Sequence, residues 1–456
     1  MKIIYISIEV KSRELLSKLF FIADNINENF TFFIGDKLSI KRATKFFGKG
    51  IYFYKSINKN DTDHISSVKN KKNIYVSLDE EGGYVQSNSK YLDSFLQFRS
   101  SFKNMSLVDR VYTWGAFDYK GWKERYKKYS GKIIKTGSPR LDLWRKDVYS
   151  KIFKEEILSL RRKFGKFFFI PSTFYSSYSD LSLALNNERK IRNNKNILPL
   201  KRRIEEKKYA FYLFKVFVKL VKNLSKDFPD HKIVIKPHPT ENVNNWGREI
   251  NINKYKNIVI DNNCDVAAYI EASKCVIYNS STAGLQSIVM GKKSIVFNGL
   301  KKDKSFRNFP NQCTIQFNDY KLLKRELNKK FSKKSNSKSL AKIKKRLFIS
   351  NKSCSKKIFE DLKKISRKQK SEINIDNPKI KFLSIFFISK DYIYFIVNKI
   401  LSIFKNKKDL PANTYYKKMR DGISLNEINT FFTKLEINSK IKIHRFGKNG
   451  FVIKKL

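Results

Sequence analysis

The sequence lacks several features that would identify common classes of protein. Its 456 residues include four cysteines, whose positions match neither a disulfide framework nor a metal-ligand motif. We therefore predict reduced thiols, as is typical of a cytoplasmic protein. The chain also has no phosphate-loop lysine motif and no complete dinucleotide-binding glycine triad, which argues against a kinase or an oxidoreductase.

Long uncharged apolar runs are missing too. The first apolar run, residues 3–8, is too short for a signal peptide and is followed at once by Glu9 and Lys11, so we predict a core strand. Aromatic and aliphatic residues dominate 380–404, but four charged residues interrupt them. A membrane span needs about 20 nearly uncharged residues. This segment therefore predicts either an in-plane helix on a membrane surface or a helix packed in the core.

Acidic residues are scarce relative to basic ones. The chain has 41 acidic and 96 basic residues, which gives a formal net charge of +55. Lys, Ile and Asn are abundant throughout, as a bias toward A/T-rich codons would produce. An excess this large still favours anionic partners at low salt. We expect a nucleotide-linked substrate and an anionic membrane surface among them, rather than nucleic acid.

Short β-rich runs alternate with helical stretches along most of the chain, which predicts an α/β fold with parallel sheets. Helical periodicity after the first run extends from Arg13 to about Asn25. The predicted strands fall into two series, 3–8, 30–34, 50–54, 73–78, 110–113 and 132–136, then 167–170, 232–236, 257–260, 274–278 and 293–297. Two tandem Rossmann-like domains are the simplest architecture.

Four segments follow from this pattern. We predict an N-terminal Rossmann-like acceptor domain at 1–147 and a second one, for the nucleotide-linked donor, at 148–325. A basic helical segment, with the possible membrane-surface stretch, covers 326–409. Residues 410–456 predict a small α+β appendage, with a capping box at Ser424 and a hairpin around 447–450.

A histidine between two prolines is the first candidate for chemistry. His238 lies between Pro237 and Pro239 and directly follows the strand run that ends at Lys236. The prolines stiffen the backbone at the carboxyl end of a strand, where open α/β sheets bind ligands. An imidazole there could contact a nucleotide phosphate and assist its departure. The other three histidines are interpreted as structural.

A second strand end carries hydroxyl and amide groups. The run 274–278 leads into Asn279, Ser280, Ser281, Thr282, Ala283 and Gly284, with a predicted helix beginning there. The N-terminus of a helix suits phosphate because of its free N–H groups and dipole. Ordinary helix capping by a Ser or Thr hydroxyl is the alternative. Ser172 and Thr173, at the end of the first strand of the second series, are further candidates for the donor site.

An acidic motif follows a strand of the first series. Asp79, Glu80 and Glu81 come after the run 73–78 and precede Gly82 and Gly83, which allow a ligand to approach the backbone. Adjacent carboxylates disfavour one another's ionisation, so one of them could act as a base near neutral pH. A solvated acidic turn is the plain alternative. Because the motif lies in the other half from His238, we interpret it as the base across a cleft between domains.

The ordered set of an acidic motif with glycine, a His-Pro element and a Ser-Ser/Thr element resembles bacterial sialyltransferases and Kdo transferases. It also resembles the related proteins of capsule and lipopolysaccharide biosynthesis. The segment 135–142 is similar to the one that closes the first domain in that group. The resemblance covers roughly residues 1–320 and implies a GT-B fold. It also implies a metal-independent, inverting transfer of an acidic sugar from its CMP conjugate to a surface glycan or a lipid-linked glycan, at the inner face of the cytoplasmic membrane and without a cofactor.

The resemblance implies a role for each candidate. Glu81 or Glu80 would deprotonate the acceptor, with Glu81 favoured for its place beside Gly82, although a third carboxylate, Asp79, leaves the base open. His238 would contact the departing phosphate. Ser280, Ser281 and Thr282 would cradle that phosphate. The other predicted nucleotide-binding residues are Lys236, Pro239, Asn279 and Gly284, with Ser172 and Thr173 as further candidates.

Three other classes of protein stay open. A CDP-glycerol-type or UDP-sugar transferase shares the layout and the His-Pro element. A sugar-nucleotide epimerase has the same architecture but needs no acceptor. A non-catalytic protein that binds polyanions or membranes would explain the charge without using Glu81 or His238.

Overall fold

The computed structural model describes residues 2–174, 181–190, 199–238, 241, 243–300, 308–329, 333–367, 382, 384–390, 393, 397, 419 and 422–456. The chain forms two compact units, and each contains one sheet. Unit 1 comprises Met1–Gly82, Arg99–Leu143 and Phe348–Leu456. Unit 2 comprises Gly83–Phe98 and Trp144–Leu347.

The described strands number fourteen and are β1 Lys2–Ser7, β2 Phe30–Gly35, β3 Ile51–Tyr54, β4 Ile74–Leu78, β5 Arg110–Thr113, β6 Ile133–Lys135, β7 Phe167–Pro171, β8 Lys232–Lys236, β9 Ile258–Ile260, β10 Cys275–Tyr278, β11 Ser294–Phe297, β12 Gln316–Phe317, β13 Ile441–Arg445 and β14 Gly450–Lys455. Each predicted strand run coincides with one of the first eleven to within one or two residues. The predicted α/β class is confirmed.

The described helices are α1 Lys11–Asn25, α2 Lys37–Phe46, α3 Thr62–Asn70, α4 Ser89–Arg99, α5 Phe102–Leu107, α6 Ala116–Arg125, α7 Pro139–Asp142, α8 Lys146–Ile152, α9 Lys154–Phe164, α10 Leu181–Lys190, α11 Leu200–Asp227, α12 Val243–Ile250, α13 Val266–Ala272, α14 Thr282–Val289, α15 Phe309–Gln312, α16 Tyr320–Asn328, α17 Lys333–Lys344, α18 Cys354–Ile365 and α19 Leu425–Lys434. Residues 384–390 are helical as well. Within the described ranges, no helix is both long enough and apolar enough to cross a bilayer.

Unit 1 is built on an eight-stranded sheet in the order β13-β14-β2-β1-β3-β4-β5-β6. The pairs among β1 to β6 are parallel, and β14 joins β2 in the antiparallel sense. Strand β2 is buried along its whole length, as expected for a strand covered on both faces. The carboxyl ends of β1 to β6 therefore form one edge of the sheet, and Asp79 directly follows β4 there.

The C-terminal part of the chain belongs to unit 1. Asp142 accepts hydrogen bonds from the N–H groups of Cys354 and Ser355 at 2.8 and 2.9 Å, so its carboxylate caps the start of α18. The predicted hairpin in the appendage is confirmed, with Ile443 opposite Ile453. The predicted cap is confirmed too, because Ser424 Oγ accepts from the Glu427 N–H at 3.1 Å.

Unit 2 is built on a six-stranded parallel sheet in the order β12-β11-β10-β7-β8-β9. Renumbered within the unit, this is the order 6-5-4-1-2-3 of a Rossmann fold. Its core lies between the sheet and α11, where Phe214, Phe217 and Trp246 are buried against Phe168. Strand order reverses between β7 and β10. Ligands of this fold bind at that reversal, beside the carboxyl ends of the strands.

Candidate functional site

The reversal point of the second sheet gathers the candidates that follow β7 and β10. Thr173 Oγ1 donates to the carbonyl of Asn279 at 3.1 Å, which ties the two strand ends together. Ser172 directly follows β7, and Ser280 comes two residues after β10. The predicted placement of these residues at neighbouring strand ends of one sheet is therefore observed.

A half-buried carboxylate organises the loop that follows β8. Glu241 Oε1 accepts from Ser172 Oγ at 2.6 Å and from the Phe174 N–H at 2.7 Å. Its other oxygen accepts from Trp246 Nε1 at 3.2 Å. The Glu241 N–H in turn donates to the carbonyl of His238 at 2.8 Å. Glu241 therefore joins the His238 loop to the end of β7, a role that sequence reasoning missed.

The side chain of Ser172 lies inside this network. Ser172 is buried, and its hydroxyl donates to Glu241. These contacts account for the position of the side chain, and a contact of Ser172 with a donor stays a prediction. Trp246, fully buried against Phe214, closes the same network from α12.

The two predicted polar residues after β8 differ in environment. His238 is exposed, at the carboxyl edge of the sheet. Lys236 Nζ donates to Asn262 Oδ1 at 2.5 Å and to the carbonyl of Cys264 at 2.9 Å. The lysine therefore braces the loop after β9. Pro239 lies outside the described residues.

An amide pair positions the residue after Asn279. Asn279 is buried, and its Oδ1 accepts from Ser280 Oγ at 2.8 Å. Asn311 Oδ1 accepts from the Ser280 N–H at 2.7 Å, and Asn311 is fully buried. Ser280 adopts φ of 56°, a conformation that costs about 1 kcal/mol or more in a residue other than glycine. These contacts hold the exposed Ser280 in place at the reversal point.

Helix α14 begins here, as predicted. Ser281 is its N-cap and accepts from the Ala283 N–H at 3.3 Å, so capping accounts for this hydroxyl. Thr282, the first residue of the helix, is exposed. A Cβ atom on Gly284 would overlap the ring of Tyr278, so close packing of α14 on β10 requires a glycine there. Ser280 and Thr282 are the hydroxyl groups of this segment that are open to a ligand.

In unit 1, the three carboxylates after β4 have three different environments. Asp79 is held by Arg99, whose Nε and Nη2 approach its two oxygens at 2.8 and 3.0 Å. The Glu81 N–H donates to Asp79 Oδ1 at 2.8 Å, and Trp114 Nε1 donates to the Asp79 carbonyl at 2.6 Å. Asp79 therefore fixes the turn that carries the next two acidic residues.

Glu80 points into the interior. Its carboxylate lies 2.6 Å from Lys18 Nζ, and both side chains are at most 2% exposed. The lysine ammonium also lies 4.1 Å from the centre of the Phe53 ring. Glu14 is buried nearby, and burial together with the charge of Glu80 raises its pKa. Glu80 neutralises a buried lysine and is not accessible to an acceptor.

Glu81 is the accessible carboxylate of the motif. Its side chain is 44% exposed and forms ion pairs with Arg13 at 3.2 Å and Arg99 at 3.4 Å. Gly82, with φ of 62°, follows it in a conformation that favours glycine. These environments distinguish the three acids and leave Glu81 as the one that can meet a substrate.

No group of three His, Cys, Asp or Glu side chains in the described ranges is arranged to hold a metal ion. A cavity of about 470 Å³ lies at the amino ends of β7, β8 and β10, the edge opposite the candidates, and is lined by Arg161, His231 and Lys274 among others. His231 stacks on Phe168 there, with ring centres 4.9 Å apart. Its interpretation as a structural histidine agrees with this packing.

No family model matches the sequence, and no curated protein matches it by sequence. The structure is similar to a variant of the wall teichoic acid polymerase TagF, with a TM-score of 0.52 and 12% identity over 81% of this chain and 89% of that one. It is also similar to UDP-GlcNAc 2-epimerase from Neisseria meningitidis, with a TM-score of 0.48 and 11% identity over 80% of this chain and 100% of that one.

A third similar structure is MnaA of S. aureus with UDP, with a TM-score of 0.47 and 11% identity over 82% of this chain and 100% of that one. At such identities, the likeness concerns the fold alone. Of the three, the polymerase has a TM-score above 0.5. Together with the two parallel sheets, it shows the α/β GT-B type of fold with two Rossmann-like units, as predicted.

Proposed function

We propose that this protein is a GT-B-type transferase of surface-carbohydrate biosynthesis that uses a nucleotide-activated donor. The observation that carries the proposal is the reversal point of the second sheet. There Thr173, Ser280 and the His238 loop follow three strands of a Rossmann sheet, with Glu241 bracing the loop. Nucleotides bind at this position in such sheets.

The donor would occupy this edge of unit 2. His238 would donate a hydrogen bond to a phosphate oxygen of the donor and lower the energy of the departing nucleotide. Ser280 and Thr282 would add hydroxyl donors, and the first turn of α14 would add its dipole. A metal ion is not part of this proposal.

The acceptor would be a glycan or a lipid-linked glycan, activated by Glu81. The carboxylate of Glu81 would take the proton of the acceptor hydroxyl as that oxygen bonds to the transferred group. The bond between the transferred group and the phosphate oxygen of the nucleotide would break. That oxygen would keep the electron pair and leave with the nucleotide. Ion pairs with Arg13 and Arg99 hold the carboxylate of Glu81 in place before the reaction.

A cytidine diphosphate donor of the CDP-glycerol type is our first choice. The fold comparison with the wall teichoic acid polymerase supports this class, whereas the CMP-linked acidic sugar is supported by the sequence motifs alone. A UDP-sugar donor is the second choice.

Thermal stabilisation by CMP, CDP, UMP, UDP and GDP tests the donor class. A ligand that binds only the native state raises the free energy of unfolding, by about 2.7 kcal/mol at 100 times its Kd. The unfolding temperature rises with it. We expect the largest shift with CDP, and loss of most of it in His238→Ala and in a Ser280→Ala/Thr282→Ala variant. Ser281→Ala is the control, because it removes a cap and lowers basal stability without lowering the nucleotide-induced shift.

Each outcome selects a class. A preference for CMP would fit both the acidic-sugar transferase and a transfer of glycerol phosphate from CDP-glycerol, because each releases CMP. Product formation from CDP-glycerol or from a CMP-linked acidic sugar separates these two. A preference for UDP would favour a UDP-sugar enzyme. Nucleotide release that needs no acceptor, together with a rearranged sugar, would identify an epimerase. No shift with any nucleotide would contradict the proposal and favour a non-catalytic binding protein.

A further inference from the structure

Unit 1 carries an apolar helix face that faces solvent. The side chains of Phe382, Ile385 and Phe386 are 71%, 65% and 52% exposed, and Ile393 and Val397 are exposed as well. The spacing of Ile385 and Phe386, 3 and 4 residues from Phe382, is that of one helix face. Single exposed apolar residues are ordinary, but three large ones at this spacing mark an interaction surface.

The opposite face of this helix is attached to unit 1. The ring of Phe387 lies 5.6 Å from that of Phe46 and 5.5 Å from that of Phe446. The Arg42 guanidinium lies 4.8 Å from the Phe387 ring. Ser384 Oγ donates to the carbonyl of Arg445 at 2.7 Å. The helix is therefore fixed on one side, so its exposed face has a defined orientation.

Helix α2 lies against this helix, because Phe46 at its end contacts Phe387. Leu38 and Phe46 are exposed on α2, and so are Lys41 and Lys45. Lys390, at the end of the helical residues 384–390, is exposed too. The sequence pattern indicated a membrane role for 380–404 and carried no such signal for α2.

We propose that these basic and apolar side chains, Leu38, Lys41, Lys45 and Phe46 of α2 with Phe382, Ile385 and Phe386, dock the protein on an anionic lipid bilayer. Apolar side chains on such a helix insert at the boundary of headgroups and acyl chains, while lysines bind anionic headgroups. The net charge of +55 adds long-range attraction. A bilayer matches both the basic charge and the apolar face.

The surface belongs to the unit that carries Glu81. Helix α2 follows β2, and its first residue lies at the same edge of the sheet at which Glu81 follows β4. Membrane docking would therefore bring a lipid-linked acceptor toward this unit. Vesicle binding does not depend on the identity of the donor, so it can fail or succeed independently of the nucleotide experiment.

The test is flotation of the full-length protein with vesicles of phosphatidylcholine alone or with about 30% phosphatidylglycerol, at low and at physiological salt. We expect binding to the anionic vesicles. Ile385→Ser/Phe386→Ser and Lys41→Glu/Lys45→Glu should each lower the partition coefficient at least about tenfold. All four side chains are exposed, so the variants should keep the wild-type unfolding temperature.

Matched controls separate this surface from general charge and apolarity. Lys127→Glu/Lys128→Glu makes the same change in charge at exposed positions elsewhere on unit 1. Leu158→Ser/Leu322→Ser removes two exposed apolar side chains from unit 2. Equal loss of binding in test and control variants would overturn the proposal. So would wild-type binding by the test variants, or a change only in self-association measured by light scattering, which would assign the apolar face to a second copy.

Discussion

The hydroxyl of Ser172 and the carboxylate of Glu241 lie 2.6 Å apart, although 69 residues separate them in the sequence. This hydrogen bond connects the end of β7 to the loop that carries His238. A polar group that loses water on folding needs a hydrogen-bond partner, and here Ser172 and Glu241 are partners of each other. The pair makes the His238 loop part of the reversal point of the sheet.

We expect Glu241→Gln to weaken nucleotide binding without touching the nucleotide. The amide can no longer accept from Ser172, Phe174 and Trp246 together, so the loop loses one or more hydrogen bonds of about 1–3 kcal/mol each. The measurements are the basal unfolding temperature and the shift induced by the preferred nucleotide. Both should fall.

A double-variant cycle distinguishes positioning from plain destabilisation. If Glu241 acts through His238, the combined Glu241→Gln/His238→Ala variant should show no greater loss of nucleotide-induced shift than His238→Ala alone. Glu249→Gln, which disturbs a half-exposed pair with Lys215 on the same unit, serves as the control. Additive losses would show that Glu241 has a structural role only.

Glu81→Gln should abolish transfer and leave nucleotide binding intact. Loss of a general base lowers the rate by about 10² to 10⁴-fold. The measurement is product formation with the donor that the stabilisation screen selects, alongside the nucleotide-induced shift. Glu124→Gln, an exposed acid on α6 of the same unit, is the control. Transfer within about twofold of wild type would remove Glu81 from the mechanism.

Glu80→Gln should instead destabilise unit 1. It leaves the buried Lys18 ammonium without its carboxylate, at a cost of about 3–5 kcal/mol. Urea unfolding monitored by circular dichroism measures this loss. Lys18→Met/Glu80→Leu, which removes both charges, should recover most of the stability. A Glu80→Gln variant as stable as wild type would contradict the ion-pair assignment.

Glu14 lies on α1, the helix that also carries Lys18, and Glu14→Gln should change how stability depends on pH. Because burial and Glu80 raise the pKa of Glu14, its contribution to stability is present below the unfolded pKa and is lost as pH rises through the folded value. The glutamine has no such loss and can still accept from the Glu9 N–H. Relative to wild type, this variant should therefore become more stable as pH rises. A constant difference across pH would refute this.

The strands and their order along the chain could be predicted because short β-branched and aromatic runs alternate with helical periodicity. The pairing of strands from distant segments could not be predicted from the sequence. The hairpin of β13 and β14 was predicted from its local pattern, but its antiparallel docking on β2 depends on contacts more than 400 residues apart.

The site shows the same division between local and distant information. Strand ends identified His238, Ser280 and Glu81, since ligands bind where parallel strands end. The basic partners of the acidic motif, Arg13, Arg99 and Lys18, lie far from it in sequence, and most left little local signal. Lys18 is the exception, because it shares the apolar face of α1 with Leu15 and Ile22. A lysine in that position indicates a buried acidic partner.

His64 should make stability depend on pH in the acidic range. It packs among Tyr52, Tyr54 and Tyr75, and burial together with Lys37 and Lys41 lowers its pKa to about 4. The unfolded value is about 6.5, so the contribution of the neutral ring is complete above pH 6.5 and is lost as pH falls toward 4. Between pH 7 and 5 this amounts to about 1–2 kcal/mol. Urea unfolding of wild type and His64→Gln at both pH values measures it. The variant should lose less stability than wild type on acidification, and an equal loss in both would show that His64 is protonated in the folded protein.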